Sequence, residues 1–192
     1  ERLGDTGTKC FISPGNDDSP AVEPILSSSD YVINPEGQAM NIDEHHEMIT
    51  CGYSNITPWR APRECNENEL AEKIEKLASQ AGNMENCVFN LHCPPYESGL
   101  DYAPKIDKDF KPVIRGGSMQ MIPAGSIAVR DAIKKYQPLL GLHGQSHEGK
   151  GACKIDRTLC LNPGSEYSEG LLKGAIVNLD KKRIKGYSFT AG

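Results

Sequence analysis

Two histidines and a glutamine alternate with small residues in the segment GLHGQSHEGKG, residues 141–151. Imidazole nitrogens and amide or carboxylate oxygens are donors that Mn, Fe, Zn and Mg accept in proteins. His143, Gln145 and His147 could therefore belong to a metal site, or the histidines could simply cap a glycine-rich loop. The distinction depends on whether other metal-competent side chains occupy comparable positions in the chain.

Metal-competent side chains follow three predicted apolar strands, each at the point where the strand ends. The three junctions are 9–12 followed by PGNDD, 87–91 followed by His92, and 139–142 followed by His143. In layered α/β folds the carboxyl ends of strands form the edge at which ligands bind. The three junctions together therefore predict a shared metal site.

Each junction also has an ordinary structural interpretation. Glycine, asparagine and aspartate after a strand favour a turn, and His92, which precedes Cys93 and two prolines, could be a packed histidine. Taken singly, each junction favours the structural interpretation. Three such strand ends in one chain are difficult to obtain by chance, and this conjunction favours the metal site.

The elements that must position these side chains alternate between strands and helices. Predicted strands cover 9–12, 31–33, 47–53, 87–91, 139–142, two short segments within 152–162, and a hairpin of 173–179 and 183–189. Predicted helices cover 20–28, 64–79 and a segment that Ser126 caps and Pro138 ends. Alternation early and antiparallel strands late predict one domain over residues 1–192, with a mixed sheet covered by helices.

Charge and composition exclude several partner classes. A net charge of −5 argues against a binder of duplex nucleic acid, which would present a basic face. The sequence contains no apolar run near the roughly 18–20 residues that a membrane span requires, so no membrane association is expected. Seven cysteines without a CxxC pair, and no visible signal peptide, predict free thiols and a cytoplasmic location.

The motifs SPGNDD, FNLHCPPY, GLHGQSHE and LNPGSEY, in this order, resemble those of the calcineurin-like metallophosphoesterases. The likeness is closest to the small stand-alone phosphoesterases of archaea and bacteria, and it covers nearly the whole chain. It implies an α/β fold, a four-layer α-β-β-α sandwich with two mixed sheets. It also implies two divalent metal ions (Mn, Fe, Zn or Mg, with Mn favoured) and hydrolysis of a small phosphomono- or phosphodiester substrate by a metal-activated hydroxide.

The resemblance carries metal-ligand roles over to Asn16, His92 and His147 of this sequence. Asp17 stands where many members have a histidine that assists the leaving group, and it is the implied catalytic residue. Gln145 stands where the family has the first histidine of its last ligand block, and its amide oxygen could still bind a hard cation. In an extended segment His143 would point the same way as Gln145, but the family uses that position only as support.

Two ligand blocks of the family pattern, Asp-x-His and Gly-Asp, do not precede Asn16 at the required spacing. Asp43-Glu44-His45 spells the first block but follows Asn16, and Gly4-Asp5 spells the second but lies too close to it. Both are interpreted as chance matches, with 43–46 as a solvated turn. The resemblance implies a family domain incomplete at its N-terminus by about 60 residues, or two βαβ units. Such a chain would expose a sheet edge and favour a homo-oligomer.

These observations leave three functional hypotheses. The first is a metal-dependent phosphoesterase. The second is a degenerate, non-catalytic family member or fragment that binds phosphate or a partner, and Gln145 motivates it. The third, a structural α/β domain without metal, does not account for three ligand-bearing strand ends. A large gain of activity in Gln145→His would indicate that the natural site is impaired.

Overall fold

The computed structural model describes residues 5–192, so Gly4 of the Gly4-Asp5 pair lies outside the described residues. The strands are β1 (Ala39–Asn41), β2 (Glu47–Cys51), β3 (Ser54–Asn55), β4 (Glu64–Cys65), β5 (Cys87–Leu91), β6 (Tyr102–Pro104), β7 (Ile114–Arg115), β8 (Ser118–Met119), β9 (Met121–Pro123), β10 (Leu140–Leu142), β11 (Gly151–Ile155), β12 (Thr158–Asn162), β13 (Lys173–Asp180) and β14 (Arg183–Ala191). The α-helices are α1 (Val22–Ser27), α2 (Glu67–Ala78) and α3 (Ile127–Tyr136).

A six-stranded mixed sheet forms the centre of the fold, in the order β1-β2-β5-β10-β12-β11. The four inner strands run parallel, and β1 and β11 are antiparallel to their neighbours at the two edges. Phe89 of β5 pairs with Ile49 of β2 and with Gly141 of β10, which aligns the three strands. The carboxyl ends of β2, β5 and β10 therefore meet at one edge of the sheet, where ligands commonly bind in such folds.

Helices α2 and α3 cover one face of this sheet. Leu70, Ile74 and Leu77 recur at helical spacing on α2 and are buried with Ile49 and Phe89 of the sheet. The side chains of Asn66 and Ser126 cap the two helices by accepting hydrogen bonds from the backbone N–H groups three residues later. The predicted Ser126 cap is therefore correct.

The hairpin of β13 and β14 covers the opposite face. Because side chains alternate along a strand, Met48 and Val88 project away from the helices and pack with Val177 and Phe189 of the hairpin. The predicted α/β fold is confirmed, with a helix layer, a mixed sheet and a second sheet among residues 5–192. Ile176 on the outer face of the hairpin is 55% exposed, so no fourth layer covers this position within that range.

Several local predictions differ from the structure. The segments 9–12 and 31–33 are joined by a single parallel bridge between Phe11 and Ile33 and do not form continuous strands. Helix α2 begins at Glu67, later than predicted, because Glu64 and Cys65 pair with β3 before the Asn66 cap. The segment 102–123, here named the arm, folds into two small pairs of antiparallel strands, β6 with β9 and β7 with β8. The sequence did not predict these strands.

All seven cysteines are free thiols, as the composition predicts. No helix among the described residues has both the length and the apolar character needed to cross a bilayer.

Candidate metal centre

A cleft of about 790 Å³ lies at the carboxyl ends of the central strands. Three connections supply its polar end: the loop that follows Phe11, the residues after β5, and the loop after β10. The predicted site residues Asn16, Asp17, His92, Gln145 and His147 all line this cleft. The structure thus brings together the side chains that the three strand-end motifs singled out, although they are far apart in sequence.

Asn16 and His92 approach each other most closely. Asn16 Oδ1 lies 3.0 Å from His92 Nε2, a hydrogen-bond distance in the described residues. Two ligands at a right angle on a cation with bonds of about 2.1 Å are themselves about 3.0 Å apart. The observed distance therefore fits two ligands of one metal ion.

The imidazole of His92 is suited to metal binding at neutral pH. Burial lowers the pKa of His92 to about 4, although the carboxylates of Asp18 and Asp17 act in the opposite direction. The ring is therefore neutral at pH 7 and has a lone pair available on one nitrogen.

Glycine is required beside this ring. A Cβ atom at Gly15 would lie 2.9 Å from both Cε1 and Nε2 of His92, and one at Gly144 would lie 3.3 Å from Nδ1. A side chain at Gly15 would therefore force a shift of the imidazole or the loop, and one at Gly144 would make a tight contact with the ring. The glycines of PGNDD and GLHGQSHE thus shape the site as well as its turns.

Glu64 and Arg63 fix the position of Asn16 through hydrogen bonds. The Asn16 Nδ2 group donates to Glu64 Oε1 at 3.3 Å. The backbone N–H of Arg63 donates to the backbone carbonyl of Asn16 at 3.0 Å. Because a carboxylate only accepts hydrogen bonds, Glu64 fixes the amide with Nδ2 turned toward it and Oδ1 turned toward His92. Sequence analysis missed Glu64, since β4 is two residues long and carries no recognisable motif.

Gln145 has an unusual backbone and an unpartnered oxygen. Its φ is +57°, and its buried Oε1 atom has no hydrogen-bond partner within the described residues. The expectation of an extended segment from His143 to His147 is therefore wrong, because a left-handed residue turns the chain in the middle. A buried acceptor without a partner is costly in a folded protein, and a cation would satisfy it.

His143 lies in the protein interior, and its side chain does not line the cleft. Its Nδ1 atom lies 2.9 Å from the Leu91 carbonyl and 3.1 Å from that of Cys93, and burial lowers its pKa to about 4. Its Nε2 atom points back to Gly141, where a Cβ would lie 2.8 Å from it. His143 therefore joins the ends of β5 and β10 and does not replace a ligand at Gln145.

The remaining predicted residues occupy the open side of the cleft. His147 is exposed, and its ring meets the Tyr167 ring edge-on at 5.4 Å. Asp17 is also exposed. The loop that carries Gln145 and His147 is fixed by Asn162, whose Nδ2 donates to the Gly144 carbonyl at 3.2 Å and to the Ser146 carbonyl at 2.8 Å. The LNPGSEY motif therefore supports the loop structurally.

The Asp-x-His match at Asp43 lies outside the cleft. Asp43 Oδ1 accepts hydrogen bonds from the backbone N–H groups of His45 and His46, at 2.7 and 2.8 Å. The ring of His46 is buried, with Nε2 3.1 Å from the Asp180 carbonyl. This turn connects β1 and β2 to the hairpin, and it is solvated only in part, contrary to the expectation for 43–46.

The donor set of the cleft combines two amide oxygens with two imidazoles. Among residues 5–192, no three His, Cys, Asp or Glu side chains converge as a ready-made metal cluster. Asn16 and His92, with the unpartnered Gln145 oxygen nearby, nevertheless fit a hard or borderline cation such as Mn²⁺ or Mg²⁺. These four side chains could form most of the ligand set of one ion, but they are too few for two ions.

Comparison with known sequences gives one relevant relative, and no family model matches the chain. An uncharacterized protein of Methanocaldococcus jannaschii, MJ1162, is 29% identical over 152 residues, which cover 78% of this chain and 61% of that protein. The chain therefore spans about three-fifths of the length of this relative.

Comparison with solved structures supports the fold. One crystal structure superposes with a TM-score of 0.60 at 18% identity and covers 98% of this chain and 64% of that chain. TT1561 of Thermus thermophilus gives a TM-score of 0.51 at 18% identity, with coverages of 85% and 65%. Sulfate thiohydrolase SoxB of Thermus thermophilus, in complex with glycerol, gives 0.46 at 11% identity, with coverages of 99% and 34%. The first two matches show that this chain shares their overall fold.

Proposed function

We propose that this chain forms the metal- and substrate-binding part of a metal-dependent phosphoesterase that hydrolyses a phosphomono- or phosphodiester. The observation that carries the proposal is the 3.0 Å approach of Asn16 Oδ1 and His92 Nε2 in a cleft that Gln145, with its buried and unpartnered Oε1 atom, also lines. The resemblance of the four motifs to calcineurin-like metallophosphoesterases supports the same reaction class.

The charge of the cleft also favours a metal. Asp17, Asp18, Asp101 and Glu148 line it, and no lysine or arginine of the described residues does. Carboxylates alone would repel a phosphate ester, so an anionic substrate requires a cation bound in the cleft. When bound, divalent ions would supply this positive charge and lower the pKa of water, so that hydroxide forms at neutral pH.

The residues of this chain would then bind and orient. Asn16 Oδ1 and neutral His92 Nε2 would hold the metal, and Gln145 Oε1 and His147 would complete the ligand set. Asp17, which is exposed and lines the cleft, would orient a water molecule by accepting a hydrogen bond from it. None of these roles requires the His92 ring to carry a charge.

The test is Mn²⁺-dependent hydrolysis of bis(p-nitrophenyl) phosphate by protein first stripped of metal. We expect turnover to require Mn²⁺ and to stop when a chelator is added. His92→Ala should reduce it by more than the roughly 10–100-fold that loss of an outer-shell partner costs. His45→Ala, an exposed histidine outside the cleft, is the matched control. Turnover that is indifferent to metal, or no turnover with any divalent ion, would contradict the proposal.

A second candidate function is binding of a phosphate group without catalysis. The presence of Gln145, where the resembling family has a histidine, favours it, because an amide is a weaker ligand than imidazole for zinc or iron. This candidate predicts Mn²⁺-dependent binding of inorganic phosphate without ester hydrolysis. Calorimetric titration with phosphate, beside the hydrolysis assay, distinguishes the two functions.

A further inference from the structure

The lining of the cleft extends beyond the candidate metal ligands and includes apolar residues, which are called its apolar end. The apolar lining comes from two places: Ile56 and Trp59 in the loop after β3, and Ile106 and Ile122 in the arm. A volume of about 790 Å³ is in the range of pockets that hold drug-sized molecules and far exceeds the need of a phosphate group. The remaining space is therefore available to the organic part of a substrate.

Trp59 is the largest apolar side chain on this wall. Trp59 and Ile56 are each 60% exposed, so both have apolar surface that a ligand in the cleft can contact. The loop is nevertheless well anchored. Thr57 donates through Oγ1 to Glu64 Oε1 at 2.6 Å and through its backbone N–H to Glu64 Oε2 at 2.9 Å. The backbone N–H of Trp59 donates to Thr57 Oγ1 at 3.3 Å.

The opposite wall belongs to the arm and is similarly constrained. Ile122, 38% exposed, lies on β9, which pairs with β6 at the base of the arm. Pro104, Pro112 and Pro123 line the cleft beside it and restrict the backbone on this side. Both sets of apolar residues line the same cleft, and the prolines limit backbone movement on the side of the arm.

We propose that the apolar end of the cleft, formed by Ile56, Trp59, Ile106 and Ile122, binds a flat aromatic group of the phosphate-ester substrate. This inference rests on the proposed function for the phosphate end only. The indole of Trp59 offers a planar face for offset stacking, which contributes beyond the apolar area that it buries. No lysine or arginine of the described residues lines this end, so a second anionic group has no partner there.

Glu64 links this wall to the candidate metal ligands. The same carboxylate accepts hydrogen bonds from Asn16 Nδ2 and from Thr57, two residues before Trp59. The spacing between the metal-binding end and the aromatic end is therefore set by one side chain. Such a link would place the aromatic group at a fixed distance from the reacting phosphorus.

Trp59 is the single tryptophan of the chain, so its fluorescence reports directly on this wall. Mg²⁺-loaded protein is titrated with phenylphosphonate and with methylphosphonate, which carry the same anionic group and are not esters. We expect phenylphosphonate to change Trp59 emission with saturation and, by calorimetry, to bind about tenfold tighter than methylphosphonate. Equal affinities with unchanged emission would overturn the inference while leaving the phosphate end intact.

Variants separate the aromatic wall from general effects on folding. Trp59→Ala and Ile122→Ala should remove the preference for phenylphosphonate in calorimetry and leave the affinity for methylphosphonate unchanged. Trp59→Phe should keep most of the preference for phenylphosphonate. Ile176→Ala, which removes an exposed isoleucine from the hairpin, is the matched control and should keep the full preference. A preference that survives Trp59→Ala would overturn the inference.

Benzyl alcohol separates failure of the inference from failure of the proposed function. If neither phosphonate binds, the proposed phosphate-binding site is wrong. The proposed aromatic site is then tested by this neutral probe alone. Saturable quenching of Trp59 by benzyl alcohol, lost in Ile122→Ala, would support the aromatic site. A linear, unsaturable response would overturn it.

Discussion

The Asn16 side chain bridges His92 and Glu64, with Oδ1 3.0 Å from His92 Nε2 and Nδ2 3.3 Å from Glu64 Oε1. An unrestrained asparagine can present either its oxygen or its nitrogen to a neighbour. Glu64 removes this choice, because its carboxylate only accepts hydrogen bonds. We infer that Glu64 is a positioning residue that keeps the amide oxygen of Asn16 available to a cation.

The first prediction concerns this positioning role. Glu64→Ala should weaken Mn²⁺ binding about 10–100-fold, the usual cost of losing an outer-shell partner, because the Asn16 amide becomes free to rotate. Glu64→Gln should retain much of the affinity, since its side-chain oxygen can still accept from Nδ2. Calorimetric titration of the metal-free protein with Mn²⁺ measures both effects.

Glu69→Ala is the control for the change in net charge. Glu69 is exposed on α2, five residues from Glu64, and its side chain contributes nothing to the lining of the cleft. If Glu69→Ala weakens Mn²⁺ binding as much as Glu64→Ala does, general electrostatics and not positioning explains the loss.

A second prediction follows from the closeness of Gly15 to His92. In Gly15→Ala the new Cβ would lie 2.9 Å from the imidazole, so the ring or the loop must shift and the Asn16–His92 geometry changes. We expect Mn²⁺ affinity to fall about tenfold or more, since a ligand displaced by a few tenths of an ångström no longer meets the coordination distance. Gly186→Ala on β14 has open space around its Cβ and should leave the affinity unchanged. Equal affinities for the two variants would contradict the steric argument.

The position of the candidate ligands could be predicted from the sequence because strand ends are local signals. Apolar runs that stop at His92 and His143, and a glycine-asparagine turn before Asp17, place polar groups at the edge of a parallel sheet. Helices α2 and α3 were similarly evident from periodicity and caps. These features depend on residues close together in sequence. The structure contains β5, β10 and both helices, whereas the segment 9–12 before the glycine-asparagine turn forms only a single bridge.

Features made by distant residues could not be predicted in the same way. Glu64 acts through Asn16 and Thr57, and no spacing or residue type in the sequence indicates these contacts. The left-handed backbone of Gln145 was missed because a single residue with positive φ has no reliable sequence signal outside glycine. The arm at 102–123 consists of strands of two or three residues, too short to show a period.

The third prediction uses the unpartnered oxygen of Gln145. If this atom binds the cation, Gln145→Ala should weaken Mg²⁺ and Mn²⁺ binding, and Gln145→His should shift preference toward Zn²⁺, because imidazole suits zinc better than an amide does. Histidine is among the residues enriched in the left-handed region, so φ of +57° is not a barrier to this substitution. Competition titrations between Zn²⁺ and Mg²⁺ measure the shift.

The hydrolysis assay on the same variants separates the two candidate functions. A rise of tenfold or more in Mn²⁺-dependent turnover by Gln145→His, about 1.4 kcal/mol in transition-state stabilisation, would indicate that glutamine limits catalysis. Unchanged metal binding in Gln145→Ala would show that Oε1 is not a ligand, and its lack of a partner would then need another explanation.

Arg63 supports the site from the side opposite the cleft and underlies the fourth prediction. Its buried guanidinium donates to Glu23 and, at 2.7 Å, to Glu36, and it lies 4.5 Å from the centre of the Tyr53 ring. Its backbone N–H donates to the Asn16 carbonyl. Arg63→Met would leave Glu36 buried without its counter-charge, which typically costs about 3–5 kcal/mol of unfolding free energy.

The loss caused by Arg63→Met should depend on pH. Burial raises the pKa of Glu36 above its usual value, and the charge of Arg63 opposes this rise, so removing Arg63 should raise the pKa further. A carboxyl whose pKa is higher in the folded state favours folding at low pH, and this contribution is lost as pH rises through the folded-state pKa. Urea unfolding between about pH 5 and pH 8 should therefore show Arg63→Met losing stability with rising pH more steeply than the native protein. The double variant with Glu36→Gln should remove the extra slope, and parallel curves for Arg63→Met and the native protein would show that Glu36 does not titrate in this range.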